Sequence, residues 1–420
     1  MRITAMSTER LALAMVAAAL LAACASSGAL APIEPPARSA FALQRVALGA
    51  RLAAIGNCAG CHTAEGGKPY AGGRALATPF GTMYGTNITP DLQTGIGRWS
   101  EAAFRRAMHE GLDRDGRHLY PAFPYDHFTK VSDADVGALY AYLMTRQPVR
   151  QENRRHELSF PFNVRSLVGV WKALYFAPGR FTPDAARSAQ WNRGAYLVQG
   201  LAHCGSCHTP RSALGAEDAK RVFEGGEAEG WHGPALNADS PSPVPWTAAT
   251  LHVYLRTGLE ERHAIAAGPM QPVVRDLASV ADQDVAAIAA YIADQMGGPA
   301  PRPRERADAA PMAQSEGALI YAGACAACHD QGRQAGSSGN ALQLALSSAP
   351  SLPSSKNLLR ITLEGVPPPE GDPGRMMPAF GPALTDAQVV ALAAYIRTRF
   401  GRAPPWQDID EELAKARQAR

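Results

Sequence analysis

Apolar residues recur at helical spacing in two kinds of segment, and each kind occurs three times. The first kind, FALQRVALGARLAAIGN, WNRGAYLVQGLAH and SEGALIYAGA, is apolar and contains glycine. The second, VSDADVGALYAYL, VADQDVAAIAAYI and LTDAQVVALAAYI, aligns without gaps, with Tyr142, Tyr291 and Tyr395 each nine residues after Asp133, Asp282 and Asp386. This spacing predicts six amphipathic helices. Ser132 and Thr385 stand where N-caps belong, with Asp135 and Gln388 at the third helical position of a capping box. Strand signals are sparse. The pattern predicts a mostly α protein of three tandem domains, at 45–150, 186–298 and 314–403. Residues 151–185 read as a connecting segment, 299–313 as a Pro- and Arg-rich linker, and 404–420 as a C-terminal tail.

Ahead of the repeats, Arg2 and Arg10 precede an apolar run over residues 11–23, the layout of an export signal and too short to span a bilayer comfortably. The tetrapeptide LAAC ending at Cys24 is similar to the lipobox of bacterial lipoproteins, while Ala29, Leu30 and Ala31 would suit ordinary signal peptidase. A lipobox also explains an otherwise unpaired cysteine in an exported chain. Residues 1–23 are therefore expected to be removed and Cys24 lipidated, placing the chain on the periplasmic side of a bacterial membrane. No later apolar run reaches the roughly 18 residues of a span, so attachment to the membrane is through a lipid anchor.

Seven cysteines occur in the 420 residues, and six fall in CAGCH, CGSCH and CAACH, one motif at the end of each glycine-containing helix. In CxxCH two cysteines form thioethers with haem vinyl groups and the adjacent histidine reaches the iron. Zinc would want four ligands per site, and a thioredoxin-type dithiol belongs to a βαβ pattern that is absent here. Three copies, consuming every cysteine after Cys24, point to three covalently bound haem c groups. Cys58, Cys61, Cys204, Cys207, Cys325 and Cys328 would hold them, with His62, His208 and His329 as proximal ligands.

A sixth iron ligand should sit in a loop before the last helix of each repeat, where methionine sulfur raises the reduction potential. Met270 lies 62 residues after His208, and in GRMMPAFGP Met377, the methionine followed by proline, is preferred over Met376. The first repeat departs: Phe123 lies 61 residues after His62 and cannot bind iron. His127, four residues on, is the candidate ligand, with a surface histidine as its bland alternative; Met108, His118 or no sixth ligand are the other readings. Formal net charge is +3, but losing Arg2, Glu9 and Arg10 and adding haem propionates leaves a near-neutral or acidic surface, which excludes a nucleic-acid reading. No Gly-rich dinucleotide motif, paired carboxylates or nucleophile motif supplies a substrate-oxidising site. An electron-transfer subunit is the expectation. A haem enzyme reducing peroxide or another small oxidant at an open first iron is the alternative that Phe123 keeps alive.

The runs GTNITPDLQTGIGRW, DGRHLYPAFPY, WNRGAYLVQGLAHCGSCHTPRSALGAE and MMPAFGPALTDAQVVALAAYIRTRFG cover nearly the whole mature chain. In them the chain resembles the three-haem cytochrome c subunits of bacterial membrane-associated dehydrogenase complexes, which serve alcohol, gluconate-type and molybdenum-dependent aldehyde or N-heterocycle dehydrogenases. The resemblance implies the cysteine and histidine roles above, distal Met270 and Met377, and class I-like cytochrome c domains. Many relatives read PAMPY where this chain has PAFPY, so their first distal methionine does not transfer. PAFPYDHF is more like the cytochromes paired with molybdenum hydroxylases. The implied partner is a dehydrogenase catalytic subunit of that type, with an iron-sulfur subunit, and the implied acceptor is quinone, another cytochrome or an oxidase.

Overall fold

Crossed helix pairs, one per repeat, carry the architecture. The computed structural model describes residues 28–297, 315–330, 342–368 and 376–418. The expected export signal with Cys24 and the linker 299–313 lie outside the described residues.

The chain divides into two compact units, the first ending at Pro183 and also including Gln199–His203. In it, α1 (Leu43–Ile55) leads into α2 (Cys58–His62), a hairpin of β1 (Ala75–Thr78) and β2 (Gly81–Tyr84), then α3 (Glu101–Glu110), α4 (Tyr125–Phe128) and α5 (Asp133–Met144). Ser132 caps α5, its hydroxyl accepting the Asp135 N–H at 3.2 Å, and Asp133 and Asp135 lie at the positive end of the helix dipole. The segment read as a connection belongs to this unit. Its β3 (Glu157–Leu158) extends the hairpin, pairing Gly81 with Leu158. Its α6 (Leu167–Tyr175) lies by α4, with the Tyr125 ring edge-on to Trp171 and Phe176.

The second unit comprises Asp184–Val198 and the chain from Cys204 onward. It opens with α7 (Ala189–Tyr196) and α8 (Gly205–His208), then the hairpin β4 (Gly226–Ala228) and β5 (Trp231–Gly233), α9 (Ala248–Thr257), the hairpin β6 (Leu259–Glu260) and β7 (Ala264–Ile265), α10 (Met270–Leu277) and α11 (Asp282–Gln295). It continues through α12 (Glu316–Ala324), α13 (Ala326–His329), α14 (Lys356–Glu364), α15 (Asp386–Phe400) and α16 (Ile409–Gln418). Thr385 and Gln388 complete the capping box of α15. The residues read as a tail form α16, whose Ile409, Leu413 and Ala416 join a core with Tyr321, Leu359, Leu363 and Leu392. Buried Arg397 fastens the approach to it, donating to the carbonyls of Pro350, Leu352 and Pro404 beneath the Trp406 ring. Burial pushes its guanidinium down to about 10.

Each helix pair crosses backbone to backbone at a glycine. A Cβ on Gly49 of α1 would lie 2.0 Å from the Ala138 carbonyl oxygen of α5; on Gly194 of α7, 2.0 Å from that of Ala287 in α11; on Gly317 of α12, 2.1 Å from that of Ala391 in α15. The same Cβ positions would meet the Cβ atoms of Tyr142, Tyr291 and Tyr395 at 2.7, 2.8 and 2.9 Å. The repeated tyrosine thus marks the crossing, and only glycine admits it.

Gly194→Ala should cost about 1–3 kcal/mol through overpacking, opposite in sign to the ~0.5–1 kcal/mol gained at an unobstructed helical glycine. Gly137→Ala in α5 meets only the mobile ends of Arg45 and Glu101 and should be near neutral, as thermal denaturation of the two variants will show. Near the start of α5, buried His109 donates from Nε2 to the Val131 carbonyl at 3.0 Å and accepts from Arg180 at Nδ1. Burial, with the Arg180 charge second, pushes it from 6.5 to about 4. The unfolded chain therefore binds the extra proton between those values, and stability should fall as pH drops through that window, by at most about 1.4 kcal/mol per pH unit for one proton. His109→Gln should flatten the dependence of Tm on pH there.

Candidate functional site

The cysteine and histidine side chains of each motif are presented by a single helical turn. In the first two repeats the residue entering that turn is left-handed without being glycine, Asn57 at φ 46° and His203 at φ 38°, so the chain bends sharply into the first cysteine. None of the six described cysteines is in a disulfide. Burial, and then the companion cysteine, pushes the Cys204 thiol up to about 12 and the Cys325 thiol up to about 11.

All three motif histidines are held alike. His62 donates from Nδ1 to the Thr86 carbonyl at 2.7 Å, His208 to that of Pro234 at 2.6 Å and His329 to that of Leu342 at 2.8 Å. A proton fixed on Nδ1 places the lone pair of the neutral ring on Nε2, the arrangement of a metal-ligating histidine with its outer partner. Burial lowers the pKa of His62 and of His208, keeping both rings neutral. Two of the carbonyls are placed by a glycine just before them. A Cβ on Gly85 would lie 1.8 Å from the Cys61 carbonyl oxygen, and one on Gly233 would lie 2.3 Å from that of Cys207. The chain after each β-hairpin therefore presses on the motif turn. Two cysteine sulfurs beside a neutral imidazole with its lone pair on Nε2 fit a covalently bound haem.

On the distal side, Met270 opens α10 directly after Pro269. Two residues earlier Gly268 has φ 53°, and a Cβ there would strike the Trp231 ring. Met377 exchanges both backbone hydrogen bonds with Val366, at 2.9 and 3.0 Å, while Met376 is 57% exposed. In the first repeat the Phe123 ring packs edge-on against Phe128 at 5.2 Å, and Phe128 against His203 at 5.6 Å. His127 is buried and donates from Nδ1 to the Gln199 carbonyl at 2.8 Å. His118 receives Lys172 Nζ at Nδ1, 3.4 Å away, and Met108 is buried within α3. The carbonyls of Thr86, Pro234 and Leu342 are the functional groups that sequence reasoning missed. Gly85 and Gly233, ahead of the first two, were their readable signal.

These features define a c-type cytochrome, and the comparisons agree. Residues 46–147 match the cytochrome c family, and residues 313–396 match cytochrome c oxidase, cbb3-type, subunit III. The chain is 37% identical over 378 residues to the gluconate 2-dehydrogenase cytochrome c subunit of Pantoea cypripedii, covering 84% of this chain and 85% of the relative. It is 34% identical over 402 residues to the fructose dehydrogenase cytochrome subunit of Gluconobacter japonicus, covering 89% and 82%. With a nicotinate dehydrogenase subunit of Pseudomonas putida it shares 48% identity over 395 residues, 92% of this chain, though it spans only 33% of that protein's length. The chain belongs to the family of cytochrome c subunits of dehydrogenase complexes, electron-transfer components rather than catalytic subunits. The reading as a haem enzyme is set aside on that ground. Among the described residues no helix is long and apolar enough to cross a membrane.

Proposed function

We propose that the chain is a three-haem electron wire, with cytochrome c domains at 45–150, 186–298 and 314–403. It is held by a lipid at Cys24 on the periplasmic side of a bacterial membrane. It takes electrons from a dehydrogenase catalytic subunit and delivers them to quinone, another cytochrome or a terminal oxidase. The observation that carries this reading is the threefold recurrence of the Nδ1-to-carbonyl bond at His62, His208 and His329. Likeness to the Pseudomonas putida nicotinate dehydrogenase chain, together with PAFPYDHF, favours a molybdenum-dependent N-heterocycle dehydrogenase with an iron-sulfur subunit as the partner.

Haem bound at these motifs supplies reversible one-electron exchange at iron. The chain's part is placement and tuning. Cys58, Cys61, Cys204, Cys207, Cys325 and Cys328 hold the group covalently, and the three motif histidines offer Nε2. Met270 and Met377 would offer thioether sulfur to the iron, which favours the reduced metal. At the first site His127 would offer Nε2 to the iron: its bond to Gln199 sets the same ring tautomer as in the motif histidines.

Electron paramagnetic resonance and near-infrared magnetic circular dichroism of the ferric protein test this ligand set. The expected pattern is one bis-histidine and two histidine/methionine centres. His127→Ala should abolish the bis-histidine signal, Met270→Ala and Met377→Ala should each remove one sulfur-to-iron charge-transfer band, and Met376→Ala should remove none. A high-spin first centre unaffected by His127→Ala would overturn the assignment of His127. For the partner, tagged chain extracted gently from its native membrane should bring a larger catalytic subunit, and an N-heterocyclic substrate should reduce its haems. Extraction of the chain alone would contradict the docked arrangement.

A further inference from the structure

We propose that Asn357 is a positioning residue that sets the axial field of the second haem from within the third repeat, with α14 coupling the two sites. The inference rests on the three-haem reading above. Asn357 lies in the first turn of α14, and its side-chain amide pairs with the backbone of His232 in β5. Oδ1 accepts the His232 N–H and Nδ2 donates to the His232 carbonyl, each at 2.8 Å. These are the bonds that a neighbouring strand would make, supplied here by one side chain. The pair is flanked by Lys356 Nζ on Glu227 at 2.6 Å and by the Arg360 guanidinium over the Trp231 ring at 5.6 Å.

The residue held in this way sits between the supports of both axial positions. On its C-terminal side, Gly233 presses on the Cys207 carbonyl, and Pro234 accepts the His208 proton at 2.6 Å. On its N-terminal side, Trp231 lies against the backbone of Gly268, two residues before Met270. Any movement of β5 therefore reaches the proximal hydrogen bond and the distal loop together. The other end of α14 meets the third site. Gly365, at φ 72°, would place a Cβ 2.4 Å from the Met377 carbonyl oxygen, and Val366 pairs with Met377. Nine residues of helix, about 13 Å long and anchored by buried Leu358, Leu359 and Leu363, connect the two contacts.

The strength of a donation from Nδ1 to a carbonyl tunes the basicity of the ligating ring, and a stronger bond favours the oxidised metal. Asn357→Ala releases β5, weakens the His208 bond to Pro234 and raises the second haem's potential, leaving the first unchanged. The experiment is spectroelectrochemical titration of the full-length holoprotein, in which the second haem's wave is the one displaced by Met270→Ala. Asn357→Ala should shift that wave by about a tenfold change in the ratio of reduced to oxidised haem, ~59 mV for one electron. It should also speed hydrogen exchange at the His232 amide. Asn357→Asp, which keeps the acceptor for His232 N–H, should show only part of that shift, and Lys356→Gln should leave the wave in place. If Asn357→Ala misfolds, Asn357→Asp against wild type carries the test through the same wave. An unchanged second wave in these Asn357 variants, or a shift confined to the third haem, overturns the proposal. A wild type without a wave that responds to Met270→Ala would instead sink the three-haem reading.

Discussion

In each repeat, a hydrogen bond from the Nδ1 of a half-buried histidine to a backbone carbonyl organises the chain around the CxxCH motif. A histidine one residue after a pair of cysteines has two ring nitrogens and two neutral tautomers, and only one presents a lone pair at Nε2. At His62, His208 and His329 the choice is made by a carbonyl that arrives from elsewhere in the chain: from Thr86 and Pro234, just after hairpins, and from Leu342. In the first two repeats the hairpins bring those carbonyls to the motif, and Gly85 and Gly233 let the following backbone come close enough.

The helices answer a second requirement, that a thin polypeptide shell hold a large apolar group. Crossing α1 with α5, α7 with α11 and α12 with α15 at glycine brings each pair to backbone contact. Elements beyond the minimal unit reinforce it. In the first unit β3 and α6 close over the hairpin and the Tyr125 turn, and in the second α16 completes the core around Leu363 and Leu392.

Much of this was legible in the sequence. Periodicity located the six principal helices, Ser132 and Thr385 announced their caps, and three CxxCH motifs named the cofactor chemistry. What escaped has a common cause. Residues 151–185 and 404–420 looked like connection and tail because two-residue β3 carries no strand pattern and because α6 and α16 are specified by distant partners such as Tyr125 and Asp386. The carbonyl acceptors were invisible because any residue supplies a carbonyl. For the same reason nothing in the sequence announced that Asn357 grips the backbone of His232. Met377 was set apart from Met376 in the sequence only by its following proline.

If all three histidine locks serve haem, counting the groups on the intact chain will show it. Mass spectrometry of the mature holoprotein, with tandem fragmentation to locate the thioethers, should show three haems, one on each cysteine pair. A chain carrying two or fewer when cytochrome c maturation is complete, or a haem-free CAACH at Cys325, would contradict it.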